Sequence, residues 1–392
     1  MDFVDEFYTD KDLSLLKKLT LVIPTYNRNY YLSRCLWYHA HFPFGEIIVA
    51  DSSPEEKKVV NRETVRKVRE IFGVNVRYLE YEPETEKYGG DIYRKWGDAV
   101  QHAEMEYSQI CTDKEFVVPT TLCKCIDYLD KNENFVCASG AFCLIQKILN
   151  NDYYVVKYAA FMPQKEEAVS NKKMIDYYLS ALKRGGEKSL LLSLYRSKIH
   201  ADIYLTLINS NISDIIFGER YLAYIGHLWG FAKFFPNDNY TIRDVTLLRD
   251  KNHRINPKES SARRYNRELD NKRLIKGNKD FCDAITSILI SKNICDKKEA
   301  EDVCHEKSLR RSEQGIKYNR LKYLFYKYSG ITYERLNNIT IISKYLAYVR
   351  KYILIDRKIC DYSIEGQIIV KTLQITKKYY ALDETIFTEM LT

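Results

Sequence analysis

Two kinds of segment alternate along the first 250 residues when hydrophobic and polar positions are compared. Short apolar runs beginning near Leu19, Ile47 and Tyr107 have the length of buried strands and end in small or polar residues. Longer segments with charged faces separate them, and one opens with Pro54, which suits a first helical turn. This alternation predicts an α/β protein with a mostly parallel sheet and helices on both faces.

The predicted elements can be placed by number. Strands are predicted from residue 20 and at 46–50, 75–81, 107–112, 135–139, 153–161 and 241–249, with 190–196 as a strand or a helical turn. Helices are predicted at 29–41, 54–72, 90–105, 119–130, 172–184 and 211–229, the last with Ser213 as its cap. After His253 the composition becomes polar and basic, and residues 279–392 have the pattern of amphipathic helices. We therefore expect a first domain at 1–255 and a basic helical domain at 256–392.

Composition narrows the class of protein. An apolar content of 45% is ordinary for a globular chain, and the 10 cysteines form no disulfide or zinc pattern. No apolar run approaches the ~20 residues of a membrane span, and the acidic start does not resemble a signal peptide. We expect a cytoplasmic protein, either soluble or bound to the inner face of the membrane. The net charge of +8 is uneven, with +11 in residues 251–392 and −3 in residues 1–250, so the C-terminal part forms either a solvated basic surface or a site for an anionic partner.

Polar and acidic side chains follow three of the predicted strands. Residues 25–27 follow the first, Asp51 the second, and residues 113–115 the third. The carboxyl ends of parallel strands meet at one edge of a sheet, where ligands bind. If the third segment stays extended, the carboxylates of Asp113 and Glu115 face the same way and can hold Mg2+ or Mn2+ on a diphosphate. The alternatives to a ligand site are a solvated loop at residues 113–115, a helix cap at Asp51 and a simple turn at residues 25–27.

A family resemblance adds to this interpretation. The run from Val22 to Arg28, followed by Val49 to Ser53, resembles the opening of family 2 glycosyltransferases, which have the GT-A fold. Residues 88–99 resemble the family's segment beside the base and diphosphate, and residues 111–117 lie where the family has its D-x-D motif. The resemblance covers about residues 19–255 and implies a nucleotide-sugar donor, commonly a UDP-sugar. The nucleotide-binding residues would be Pro24, Thr25, Tyr26, Asn27, Arg28, Asp51, Arg94, Lys95 and Asp113. For Arg94 and Lys95, the alternative is a solvated helix face.

The motif departs from the family at two positions. Glu115 replaces the second aspartate, and Lys114 stands where a related bacterial subgroup has a third acid. The predicted metal ligands are Asp113 and Glu115 of this motif, together with His253. His253 is included because many enzymes of this fold have a histidine near the end of the catalytic domain. A lone histidine in a polar loop is otherwise simply exposed.

An inverting enzyme of this fold needs a base that deprotonates the acceptor hydroxyl. The family supplies it from a helix after the sheet, and Asp214 and Glu219 are the two candidates there. Each can equally be a capping or surface carboxylate.

The sequence as a whole predicts an inverting glycosyltransferase that uses a nucleotide-diphosphate sugar and Mn2+ or Mg2+. The expected acceptor is a glycan hydroxyl in bacterial surface or capsular polysaccharide synthesis. We expect no nucleic-acid partner, and the C-terminal helices would mediate peripheral membrane contact or homo-oligomer formation. One alternative, a nucleotidyltransferase, lacks its Gly-rich basic loop. The other is a non-catalytic glycan-binding or scaffold protein with a degenerate GT-A fold, of which Lys114 would be a sign.

Overall fold

A nine-stranded sheet organises the part of the chain that the computed structural model describes, which is residues 8–83, 91–148, 152–158, 190–244 and 267–301. The strands are β1 (Leu19–Thr25), β2 (Glu46–Asp51), β3 (Val76–Glu80), β4 (Tyr107–Ile110), β5 (Glu115–Val117), β6 (Phe135–Ile148), β7 (Asp152–Tyr158), β8 (Leu194–Arg196) and β9 (Phe231–Asp244). The helices are α1 (Asp10–Leu16), α2 (Asn29–His39), α3 (Glu55–Phe72), α4 (Asp91–Gln101), α5 (Pro119–Lys131), α6 (Ser197–Ile208), α7 (Ile215–Tyr224), α8 (Arg267–Ser291) and α9 (Lys297–Glu301). The predicted α/β class is confirmed.

The first half of the sheet is parallel. Strands β3, β2, β1 and β4 lie side by side, and Thr25 at the end of β1 pairs with Asp51 at the end of β2. Every residue of β1, β2 and β4 is buried, so the apolar residues that dominate β1 and β2 lie in the core together with polar ones such as Thr20 and Gln109. The loops that leave these three strands therefore emerge at one edge of the sheet.

The second half of the sheet contains antiparallel pairs. The strand order is β3-β2-β1-β4-β8-β6-β9-β5, with β7 paired to β6. Strand β8 is antiparallel to β4 and β6, and β5 is antiparallel to β9, so that Glu115 pairs with Arg243. Strand β5 was not predicted, because three residues are too few to give a periodic signal.

Local signals explain where α3 begins and ends. Pro54 is the residue before its first turn, with φ −56° and ψ 154°, and not the first helical residue as its sequence position indicated. Gly73 ends the helix with φ 65°, a left-handed conformation that glycine adopts without steric cost. Val65 and Val68 are buried on the inner face, whereas Arg66 and Glu70 form a surface ion pair.

Helix α4 packs tightly against α6 and α7. A Cβ on Gly97 would lie 2.8 Å from the Ile208 side chain, and a Cβ on Gly218 would lie 2.6 Å from the ring of Tyr93. Both glycines are therefore required by close helix contacts. Helix α6 was not predicted, and the helix expected at 211–229 is α7 followed by a 3₁₀ turn at Ile225–Leu228. Its cap is Asp214, which accepts from the amide of Phe217, and not Ser213.

The described residues divide into two compact units. One contains residues 8–144, 157–158 and 190–244 where described, and the other contains 145–148, 152–156 and 267–301. The second unit holds α8 and α9, as expected for helices in that region. The predicted boundary at residue 255 and the helices predicted at 172–184 and beyond 301 lie outside the described residues. No helix that the structure describes is long and apolar enough to cross a membrane.

Acid stability should depend on His200. This side chain is buried, bonds the hydroxyl of Ser108 at 2.8 Å and stacks on Tyr195, and burial lowers its pKa to about 3. Between pH 6.5 and 3 the unfolded chain takes up a proton that the folded chain does not, so stability falls as pH falls. Compared with His200→Gln, the native protein should lose about 2 kcal/mol more between pH 7 and pH 5. Urea denaturation at the two pH values measures this, and equal losses would contradict it.

Candidate functional site

Thr25 connects the three strand ends that the sequence placed together. Its hydroxyl donates to Asp113 Oδ2 at 2.9 Å, and its carbonyl accepts from the amide of Ser52 at 3.3 Å and from Lys95 Nζ at 3.0 Å. Lys95 also donates to the Ser52 hydroxyl at 2.8 Å. The ends of β1 and β2, the loop after β4 and helix α4 are thus joined through one residue.

The loop after β1 exposes two of the predicted nucleotide-binding residues. Pro24 is buried and pairs with Ala50, and Tyr26 is half-buried, whereas Asn27 and Arg28 are exposed. Asn27 has φ 52°, a left-handed conformation that asparagine tolerates, and its amide donates to Ser53 Oγ at 2.8 Å. This turn therefore directs Arg28 towards the loop that follows β4.

Asp51 is enclosed by protein donors. Its Oδ1 accepts from the amide of Ser53 at 2.7 Å, and its Oδ2 accepts from Asn61 at 2.6 Å and from the hydroxyl of Tyr78 at 2.5 Å. The carboxylate has no exposed surface. In this arrangement Asp51 fixes the loop after β2, and its predicted contact with a nucleoside stays a prediction.

The Asp113–Lys114–Glu115 segment is a turn. The amide of Glu115 donates to the carbonyl of Thr112 at 2.9 Å, which closes the turn before β5 begins. The expectation of an extended segment with both carboxylates on one side was wrong, because this bond reverses the chain. Asp113 faces β1 through Thr25, whereas Glu115 faces β9 through Arg243.

Each of the two carboxylates is paired with an arginine. Arg28 donates to Asp113 Oδ1 at 3.3 Å, and Arg243 donates to Glu115 Oε1. The Asp113 and Glu115 side chains are 1% and 0% exposed, whereas those of Arg28 and Arg243 are 41% and 29% exposed. Burial raises the pKa of Asp113, partly offset by Arg28 and Thr25. Burial, together with the positive charges of Arg28 and Arg243, lowers the pKa of Lys114 to about 8.

These residues do not fit a divalent ion as they stand. The remaining oxygen of Glu115, Oε2, accepts from the amide of Thr112 at 3.2 Å, so all four carboxylate oxygens of the motif take protein donors. An ion that used both carboxylates would have to displace two guanidiniums. The third predicted ligand, His253, lies outside the described residues.

A buried set of soft donors lies behind this turn. Donor atoms of Cys35, His39 and Cys111 lie within 4.8 Å of one another. His39 Nε2 faces the amide of Val117 at 3.2 Å and must accept from it, so Nδ1 donates to the carbonyl of Cys35 at 2.8 Å. Both cysteine thiols lie within hydrogen-bond distance of the carbonyl of Glu115. The set thereby anchors β5 to α2, and both nitrogens of its imidazole are already in use.

The two candidate bases both face Tyr93 on α4. The charges of Glu219 and Asp214 add to burial in raising the pKa of this tyrosine. Asp214 is buried and caps α7 through the amide of Phe217 at 3.4 Å. Glu219 is half-buried, and among the described residues its carboxylate has no hydrogen bond or ion pair.

The predicted phosphate ligands on α4 differ in their surroundings. Lys95 is buried at the junction formed by Thr25 and Ser52. Arg94 is exposed and donates to the carbonyl of Ile208 at 3.1 Å, at the end of α6. The two side chains are therefore not brought together, and their contact with phosphate stays a prediction.

Comparison with known proteins gives remote structural likenesses. No family model and no curated protein matches the chain. S. aureus TarS 1–349 in complex with UDP is 15% identical, with a TM-score of 0.41 over 74% of this chain and 70% of that one. The same protein in complex with UDP-GlcNAc is 18% identical, with a TM-score of 0.39 over 74% and 71%. S. aureus TarS itself is 15% identical, with a TM-score of 0.37 over 73% of this chain and 42% of that one. These values are too low to establish a shared function.

Sequence reasoning missed three residues of this site. Tyr78 and Asn61 bond Asp51, and Arg243 pairs with Glu115 from the far edge of the sheet. Arg243 falls within the strand predicted at 241–249, so its position on a strand could be seen. Its pairing with Glu115 could not be predicted, because the order of the strands in the sheet is set by contacts between residues far apart in the sequence.

Asp51→Asn tests whether this carboxylate holds the loop. The side-chain NH2 of an asparagine would face one of the three hydrogen-bond donors that surround Asp51, and that donor would lose its acceptor. A buried polar group without a partner lowers the free energy of unfolding by about 1–3 kcal/mol. We expect a loss of roughly that size in the free energy of unfolding, measured by urea denaturation. The matched control is Asp98→Asn, because Asp98 accepts from the hydroxyl of Tyr81 at 2.7 Å but is 56% exposed. Equal losses in the two variants would contradict a structural role for Asp51.

Proposed function

We propose that this chain is a glycosyltransferase that moves a sugar from a nucleotide-diphosphate donor, a UDP-sugar, to a hydroxyl group of a glycan, with inversion at the anomeric carbon. One observation carries the proposal. The residues of the motifs that resemble family 2 glycosyltransferases meet at the carboxyl edge of a parallel sheet, joined through Thr25. That edge is where α/β sheets of this kind bind nucleotides.

In this proposal the loop after β1 and the turn after β4 form the donor seat. Tyr26 and Asn27 contact the nucleoside, and Asp51 holds the loop beneath it through Ser53, whose hydroxyl accepts from the Asn27 amide. Arg28 is exposed beside Asp113 and meets the diphosphate. Lys95 keeps the ends of β1 and β2 together and places both loops for the donor.

The acceptor hydroxyl is deprotonated by Glu219. Asp214 already caps α7 and is buried, and a carboxylate in that position is poorly available for proton transfer. Glu219 is half-buried one turn further along the same helix, with no hydrogen-bond partner among the described residues. It takes the proton while the hydroxyl oxygen attacks the anomeric carbon and the nucleoside diphosphate leaves.

The acceptor class follows from the motif resemblance alone. We propose a glycan of the bacterial surface, built at the cytoplasmic side of the membrane. The basic C-terminal residues would hold the enzyme near that membrane or join two copies, as their composition indicates.

One observation favours a second candidate, a non-catalytic glycan-binding or scaffold protein. Asp113 and Glu115, the two carboxylates of the proposed donor motif, are each paired with an arginine, as in a fold that has lost its donor site. Two measurements distinguish the enzyme from the non-catalytic protein. One is calorimetry with UDP and with a panel of nucleotide sugars, and the other is the rate at which those nucleotide sugars are hydrolysed. An enzyme binds UDP and hydrolyses at least one donor slowly, and a scaffold does neither.

Replacing the candidate bases should separate catalysis from structure. We expect Glu219→Gln to reduce turnover on the identified donor by at least 100-fold and to leave UDP affinity within threefold, because a lost base removes proton transfer and not donor binding. Asp214→Asn is the matched control and should lower the melting temperature while keeping most of the turnover. The assignment of the base to Glu219 is wrong if Asp214→Asn is the inactive variant.

A further inference from the structure

The charges around the turn after β4 are arranged in two layers. Asp113 and Glu115 lie beneath, with 1% and 0% of their side chains exposed. Above them lie Arg28, Lys114 and Arg243, which we call the cationic cluster. Its members are each partly exposed, so a ligand that approaches from solvent meets positive charge first.

The cationic cluster is held in place from several sides. Arg28 is fixed by Asp113 at 3.3 Å, and Arg243 is fixed by Glu115 and lies over the ring of Phe142 at 5.2 Å. The Lys114 ammonium lies 5.3 Å from the ring centre of Tyr31. Each of these side chains therefore has a carboxylate or a ring on part of its surface and solvent on another part. Among the described residues, the buried Nε of Arg243 has no hydrogen-bond partner.

The balance of charge favours an anion over a cation. Three positive and two negative side chains give the group a net charge of +1. A diphosphate offers oxygens that two guanidiniums and an ammonium can bind together. A divalent ion would enter a region that is already positive and would have to break both arginine–carboxylate pairs.

We propose that the cationic cluster of Arg28, Lys114 and Arg243 binds the diphosphate of the donor directly, so that donor binding does not require a divalent metal ion. Asp113 and Glu115 then act as positioning residues that orient Arg28 and Arg243. The inference rests on the proposed function for the identity of the donor, but the binding of a diphosphate by the cluster can be tested separately.

The test is calorimetry on the full chain freed of metal, with UDP and with inorganic pyrophosphate, in EDTA, in Mg2+ and in Mn2+. We expect the Kd for UDP in EDTA to lie within tenfold of its value in either metal. A Kd that is tenfold or more weaker in EDTA overturns the inference and leaves the proposed function standing. If UDP binds in no arm, the proposed function fails. Pyrophosphate binding in EDTA then still supports the cluster, and its absence overturns both proposals.

Variants assign the binding to the cluster. Arg243→Gln should weaken UDP and pyrophosphate at least tenfold in EDTA. Because this change leaves the buried Glu115 without its partner, the double variant Arg243→Gln with Glu115→Gln removes both charges and should show the same loss with a native melting temperature. Arg66→Gln is the matched control, since Arg66 also pairs with carboxylates but lies on the surface of α3. Unchanged affinity in the double variant overturns the assignment.

Discussion

The hydrogen bond from the Thr25 hydroxyl to Asp113 is the interaction on which the site depends. It ties the end of β1 to the loop after β4, while the carbonyl of the same threonine receives Lys95 and the amide of Ser52. Thr25 and these three partners are buried, so each polar group finds its bond within the protein and not in water. A residue of similar shape without the hydroxyl would leave Arg28 as the side-chain partner of Asp113 among the described residues. The separate loops thus form one rigid support.

The site combines a fixed interior with an adaptable surface. The carboxylates of Asp51, Asp113 and Glu115 have a structural role, because their oxygens accept hydrogen bonds from neighbouring backbone and side-chain donors. The groups left for a ligand are longer side chains at the surface, above all Arg28 and Arg243. Buried carboxylates of this kind are useful because they hold guanidiniums in defined directions, which reduces the conformational freedom lost when a phosphate binds.

The parts of the structure that sequence could predict are those set by local patterns. The buried strands β1, β2 and β4 and the helices α2, α3 and α5 follow from apolar runs and helix periodicity, and their bounds were close. The meeting of Thr25, Asp51 and Asp113 followed from the rule that parallel strands end at one edge. The partners of Asp51 and Glu115 did not follow, because Tyr78, Asn61 and Arg243 reach them through tertiary packing. The turn at Glu115 was also missed, because hydrophobic periodicity does not reveal the single local hydrogen bond from the Glu115 amide to the Thr112 carbonyl that closes it.

The strand order has a geometric consequence for the whole sheet. Strands β4 and β5 are four places apart in that order, which is about 19 Å across a flat sheet. The residues between them, 111–114, span at most about 18 Å when fully extended, and they are bent into a turn. The sheet must therefore curl until its last strand returns towards its middle. That curvature brings β5 and its partner strand β9, with Arg243, back towards β4, so strands that are four places apart in the pairing order become neighbours in space.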